Sequence, residues 1–124
     1  MAGDRARIMR LLFMPATEEF HQVAWRPAVD VYRTHTGWFL KYELAGVRPE
    51  DLEVTACGAM LTVAGRRRDW FAEADCCCYR MEISYSHFER TIELPADLEQ
   101  AHIATSYDNG MLLVRIEMEA HHEP

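Results

Sequence analysis

From Val29 onward, apolar and polar residues alternate with a period of two. Trp38, Leu40, Tyr42 and Leu44 alternate with Phe39, Lys41, Glu43 and Ala45, which predicts a half-buried strand. Leu52, Val54 and Ala56 alternate with Glu53 and Thr55 in a second strand, and Gly58 permits a tight reversal. Leu61 and Val63 continue a third strand that ends at Gly65, and Arg66, Arg67 and Arg68 follow as a solvated strand end. Tyr79, Met81 and Ile83 alternate with Arg80 and Glu82, a weaker strand signal. Phe88, Arg90, Ile92 and Leu94 alternate with Glu89, Thr91 and Glu93, and Pro95 stops that strand. Ile103, Thr105 and Tyr107 form another. Asp108-Asn109-Gly110 is a hairpin signal, because Asn-Gly suits positive φ at both turn positions. Leu112, Val114 and Ile116 return antiparallel, with Arg115 and Glu117 outward. Short helical turns are expected only at Pro49-Glu50-Asp51 and between Ala96 and Ala101.

Seven to eight short strands with regular turns and almost no helix predict an all-β, immunoglobulin-like antiparallel β-sandwich. Residues 1–24 read as an arm, partly helical or disordered, with Ile8, Leu11, Leu12 and Phe20 at helical spacing until Pro15 interrupts them. Trp25-Arg26-Pro27 marks the boundary to a domain over residues 25–118, and residues 119–124 form a short tail. A chain of 124 residues fits one such domain.

Charge narrows the partners. Thirteen basic against 20 acidic residues leave a net charge of -7, which favours solubility and argues against nucleic acid. The apolar run Leu11–Met14 is far too short to span a membrane, and it meets Pro15 and the acidic pair Glu18-Glu19 too soon for a secretory signal. The expected location is the cytoplasm.

Four cysteines are present, three of them consecutive: Cys57, Cys76, Cys77 and Cys78. Neighbours in a strand face apart, and no second pair sits at zinc-finger spacing, so no metal site is expected. The thiols read as reduced and structural or incidental, with redox sensing or an intermolecular disulfide as the sharper alternative. No phosphate-binding loop is present. Ser84, Ser86 and His87 lack a nucleophile elbow. His121-His122 reads as frayed tail. The chain is expected to be no enzyme, with no catalytic residues and no cofactor.

Several segments resemble, in order, the α-crystallin domain of the small heat shock proteins, chiefly the bacterial type. Trp25-x-Pro27-x-x-Asp30-Val31-Tyr32 is similar to its first strand. Leu44-Ala45-Gly46-Val47-x-Pro49-Glu50-Asp51-Leu52 is similar to its Pro-Gly segment followed by Glu-Asp, and Leu61-Thr62-Val63-Ala64-Gly65-Arg66-Arg67 to its strand ending in Gly-Glu-Arg. Phe88-Glu89-Arg90-Thr91-Ile92-Glu93-Leu94-Pro95 matches Phe-x-Arg-x-x-x-Leu-Pro. Thr105-Ser106-Tyr107-Asp108-Asn109-Gly110-Met111-Leu112 matches the Ala-x-x-x-Asn-Gly-Val-Leu hallmark. Ala45 stands where the family has Pro, which relaxes that turn; Thr105 and Met111 are modest size changes. The family's Ile-x-Ile/Val tail motif is missing, since Val114-Arg115-Ile116 reads as the last strand, so large tail-locked oligomers are not expected.

The resemblance implies an ATP-independent holdase that binds unfolding client proteins and prevents their aggregation under stress. It implies a client or peptide groove lined by Leu52, Val54, Ile103 and Thr105. It also implies a homodimer, or a higher oligomer built from it, made by strand exchange. Cys78, Tyr79, Arg80, Met81 and Glu82 would meet Asp30, Val31 and Tyr32 of the partner, with Arg90 serving that interface. The second reading is a co-chaperone-like docking or scaffold module that binds one folded partner.

Overall fold

The structure, a computed structural model, describes residues 25–71 and 73–119. Seven strands follow in chain order: β1 (Val29–Arg33), β2 (Gly37–Glu43), β3 (Leu52–Cys57), β4 (Met60–Arg66), β5 (His87–Glu93), β6 (Ala101–Asp108) and β7 (Met111–Met118). Single 3-10 turns at Pro49–Asp51 and Leu98–Gln100 precede β3 and β6, as the Pro and acidic residues there predict. In the second turn the Asp97 carboxylate accepts from the Glu99 N–H.

The strands build two antiparallel sheets, ordered β1-β2-β7-β6 and β3-β4-β5. Alternation decides which side chains meet between them. Leu40 and Tyr42 of β2, Leu61 and Val63 of β4, Phe88 of β5, and Leu112, Val114 and Ile116 of β7 are all buried. Leu44, Val47, Leu94 and Leu98 close the core from the connections. Two sheets facing each other across interdigitated apolar rows form a sandwich, as expected from the sequence.

Turn chemistry fixes the registers. Asn109 and Gly110 take φ of 53° and 79°, and Asp108 pairs with Met111. That is the two-residue turn whose twist matches its flanking strands. The turn after Leu44 lacks the family's proline yet is held on several sides. Gly46 supplies a φ of 85°, the Val47 N–H donates to Leu44 O, and the Leu44 N–H donates to Gly110 O. The Tyr107 hydroxyl lies against the carbonyl oxygens of both Leu44 and Val47, and burial raises its pKa. Tertiary bonds thus replace the stiffness a proline would bring.

Two expectations need correction. The alternation at Tyr79, Met81 and Ile83 forms no strand: the chain from 67 to 86 is irregular, apart from turns and bends, in every described residue. A strand needs a neighbour for its N–H and C=O groups, and this segment has none among the described residues. Arg66–Arg68 is also more than a solvated strand end. Arg67 and Arg68 are partly covered and each has fixed partners, described below.

Candidate functional site

The sandwich has two seams, where the edges of one sheet approach the edges of the other. One seam lies between β1 and β5, and residues just before β1 fill it. Trp25 sits edge-on to Phe88 with ring centroids 5.0 Å apart, and the Arg67 guanidinium stacks on the Trp25 ring at 3.6 Å. The Trp25 N–H donates to Ser86 Oγ (3.3 Å) and Arg90 donates to Pro27 O. Arg67 Nε donates to Ser84 O (2.8 Å) and its terminal nitrogen to Ala45 O (3.2 Å), while its own N–H donates to Ser86 O (2.9 Å). Arg67 therefore clasps both feet of the long β4–β5 connection. Arg68 forms a bidentate pair with Asp51 at 3.0 and 3.1 Å, and those hydrogen bonds hold the Asp51 carboxyl below its ordinary value.

The second seam lies between β3 and β6. At one end the Leu98–Gln100 turn bridges it, through the buried Leu98 and a hydrogen bond from the Leu98 N–H to Gly58 O (2.8 Å), and at the other the Tyr107 hydroxyl of β6 bonds the carbonyls of Leu44 and Val47 ahead of β3. The register places Leu52 and Val54 beside Gly65 and Val63, and Ile103 and Thr105 beside Ile116 and Val114. Cross-strand partners share a face, so all four predicted groove residues point toward the sandwich interior. They are nonetheless incompletely covered. Leu52, Val54 and Ile103 pack against the core while remaining partly exposed, and Thr105 is exposed. The same inward face of β3 carries Ala56, also exposed. A mostly apolar strip is thus left open between two edge strands, each with one ladder edge unpaired among the described residues.

The predicted interface residues fall in two places. Asp30, Val31 and Tyr32 lie on β1, whose only partner strand among the described residues is β2. Val31 and Tyr32 are exposed, and outside the sandwich a ladder of rings and cations runs beside them. Tyr32 leans on Phe39 (6.0 Å), Lys41 lies over Tyr32 (5.2 Å), and Arg115 over Phe39 (4.7 Å). Cys78–Glu82 sit in the irregular connection with Tyr79 at 101% relative exposure, Met81 at 49% and Ile83 at 56%. The chain does not bring these two groups together. Arg90 is engaged internally, half-buried and bound to Pro27. All four cysteines carry free, exposed thiols. His121-His122 and the arm's Ile8, Leu11, Leu12 and Phe20 lie outside the described residues.

Sequence reasoning missed Trp25 as a plug, Arg67 as a clasp and Tyr107 as a lock. Period-two patterning could have flagged only Tyr107, which faces inward with Ile103. The roles of Trp25 and Arg67 depend on contacts across 61 and 17 or more residues of chain.

A sequence profile of the Hsp20/alpha crystallin family matches residues 30–124. The chain belongs to this family. Small heat shock protein C2 of Rickettsia felis is 29% identical over 90 residues, covering 73% of this chain and 58% of that protein. Spore protein SP21 of Stigmatella aurantiaca is 30% identical over 93 residues, covering 75% of the chain and 55% of that protein. The matched segment thus spans little more than half the length of these relatives. Among solved structures, a small heat-shock protein from Xylella fastidiosa superposes with a TM-score of 0.68 at 28% identity, covering 82% of this chain and 94% of that one. HspA from Xanthomonas axonopodis gives 0.64 at 27% identity, covering 77% and 96%. Small heat shock proteins are non-enzymatic chaperones, and their α-crystallin sandwich is the fold described here. Among the described residues no helix is long and apolar enough to cross a membrane.

Proposed function

We propose that this chain is an ATP-independent holdase that captures unfolding proteins before they aggregate. The observation that carries the reading is the open apolar strip of Leu52, Val54, Ile103 and Thr105 between two edge strands, in a chain of this family. A client segment laid there covers apolar area worth about 25 cal/mol per Å². The edges of β3 and β6 offer it main-chain hydrogen bonds as well. Capture of this kind consumes no nucleotide, because it is binding and not chemistry.

The reading includes a homodimer made by strand exchange, with Cys78–Glu82 of each copy added to the free edge of β1 in the other. Its support is the match of two unfinished parts: an exposed alternating segment without a ladder, and a strand edge without a partner. Arg90 serves the interface from behind, by holding Pro27 at the root of β1. Residues 25–118 form the working domain, with 1–24 as an arm and 119–124 as a tail. We place the protein in the cytoplasm, where its four exposed free thiols would stay reduced.

The test is light scattering by a heat-aggregating model protein, without ATP, with and without this chain, beside its native mass. Suppressed scattering from a dimer or larger species is expected. Undiminished scattering with a monomeric mass would overturn the reading in favour of a docking module.

A further inference from the structure

The exchanged segment and its receiving edge both have two distinct faces, and their chemistry sets how they join. On β1, Val31 aligns with Leu40 and points inward, while Asp30 aligns with Lys41 and Tyr32 with Phe39 on the outer surface. In the segment, Tyr79, Met81 and Ile83 take one side when extended, and Cys78, Arg80 and Glu82 take the other. Apolar continuity therefore puts Tyr79 and Met81 on the side of Val31. Arg80 and Glu82 then join the outer face, beside Asp30 and Tyr32. A slip of one residue would reverse every side chain.

A slip of two keeps the faces and must be excluded by other means. Here charge decides. Arg80 is the only cation in the segment and Glu82 the only anion, and Asp30 is the one charge on the outer face of β1. We infer that Arg80 of one copy seats against Asp30 of the other, and that this pair fixes the register of the exchange. Resting on the exchange reading above, it names the specificity-determining contact within it. The outer row then reads Arg80, Asp30, Lys41 across three strands, alternating in sign, and it extends the 4.0 Å Asp30–Lys41 pair already present. Slipping two residues one way sets Glu82 against Asp30, and like charges directly opposite repel. Slipping the other way leaves Arg80 off Asp30 and puts the Cys78 thiol there. The Arg80–Glu82 contact within the loop (2.6 Å) must loosen as Arg80 turns to its new partner, an exchange between solvated ion pairs. The gain is accordingly selectivity more than affinity.

A charge-swap pair tests this. Asp30 and Arg80 side chains are 66% and 79% exposed, so Asp30→Lys and Arg80→Glu leave the fold intact, with melting temperature as the control. Each variant alone should raise the dimer dissociation constant by roughly tenfold or more, since two pairs per dimer turn repulsive. Mixed in equal amounts, the two variants should dimerise with each other to within roughly threefold of the parent, because both pairs facing across the interface are again of opposite sign. Single variants that dimerise like the parent, or a mixture that stays dissociated, would overturn the pairing. Met81→Pro, at an exposed loop position, separates the two levels by removing a donor from the exchanged strand. If Met81→Pro dimerises like the parent, the exchange itself is wrong and the pairing falls with it. If it dissociates while the charge-swap mixture does not recover, the pairing alone is wrong.

Discussion

The two seams of the sandwich meet the same problem in opposite ways. Between β1 and β5, the gap is filled from within the chain by Trp25, stacked between Phe88 and Arg67 and tied by Ser86, while Arg90 holds Pro27 beside it. Between β3 and β6, a 3-10 turn and the Tyr107 hydroxyl tie the two ends and an apolar strip between them stays open. A sandwich with both seams filled would be a more stable module with nothing to offer. The closed seam adds fixed contacts to the sandwich, and the open one leaves apolar side chains partly uncovered.

Substitutions at the closed seam should have the largest effect on stability. Phe88→Ala removes a buried ring from both the core and the Trp25 contact, and should cost about 3 kcal/mol in chemical denaturation. Arg67→Ala should cost about 1 to 2 kcal/mol, since it loses the stack and leaves Ala45 and Ser84 carbonyls without their donor. It should also speed tryptic cleavage at Arg80 within the loop it clasps; unchanged cleavage would mean the loop is anchored elsewhere.

At the open seam the balance reverses. Val54→Ser with Ile103→Ser should lower stability by only about 1 kcal/mol per site, because both side chains are already partly in water. Suppression of model-client aggregation should fall several-fold. Equal losses of stability and of suppression at both seams would erase the distinction drawn here. Thr105→Leu extends the strip at an exposed position and should strengthen capture with stability within about 0.5 kcal/mol.

The smallest effects are expected from ionisable groups behind the seams. Tyr42 is fully buried, its hydroxyl has no partner among the described residues, and burial pushes its pKa from 10.0 up to about 12, partly opposed by the Arg90 charge. A raised pKa means that stability is intact below pH 10.0 and declines as pH rises toward about 12. Tyr42→Phe should be neutral or stabilising by up to about 1 kcal/mol at pH 7 and should flatten that alkaline decline. Asp51 works in the other direction. Its carboxyl is held below 3.8 by Arg68, so its contribution is present above that pH and disappears as pH falls through the lowered value. Asp51→Asn should remove that acid-side slope in a melting-temperature profile.

Much of the sandwich was legible because alternation along a strand is a local signal. The inward residues of β2, β4 and β7 and the Asn109-Gly110 turn followed from period and turn chemistry alone. The groove residues came from family resemblance, and the structure sets all four on inward faces at the open edges. What stayed hidden depends on chain segments far apart. Nothing near Arg67 announces a stack on Trp25, and three consecutive arginines look like a solvated run until two of them are seen to have separate partners. The segment around Tyr79 misled for another reason: alternation states what a segment can do when paired, and among the described residues no strand is there to pair it.

The order β1-β2-β7-β6 has a consequence for synthesis. β2 takes its inner neighbour from β7, whose last residue is Met118, so Gly37 waits for Glu117 before its row is complete. On the ribosome, β3, β4 and β5 can assemble as a local meander, while Trp38, Leu40 and Tyr42 remain without the strand that buries them. Pairings so distant along the chain form slowly, and apolar strands exposed meanwhile invite aggregation. The apolar row of β2 is thus the last of the core to gain its cover, since that cover is made from residues 111–118.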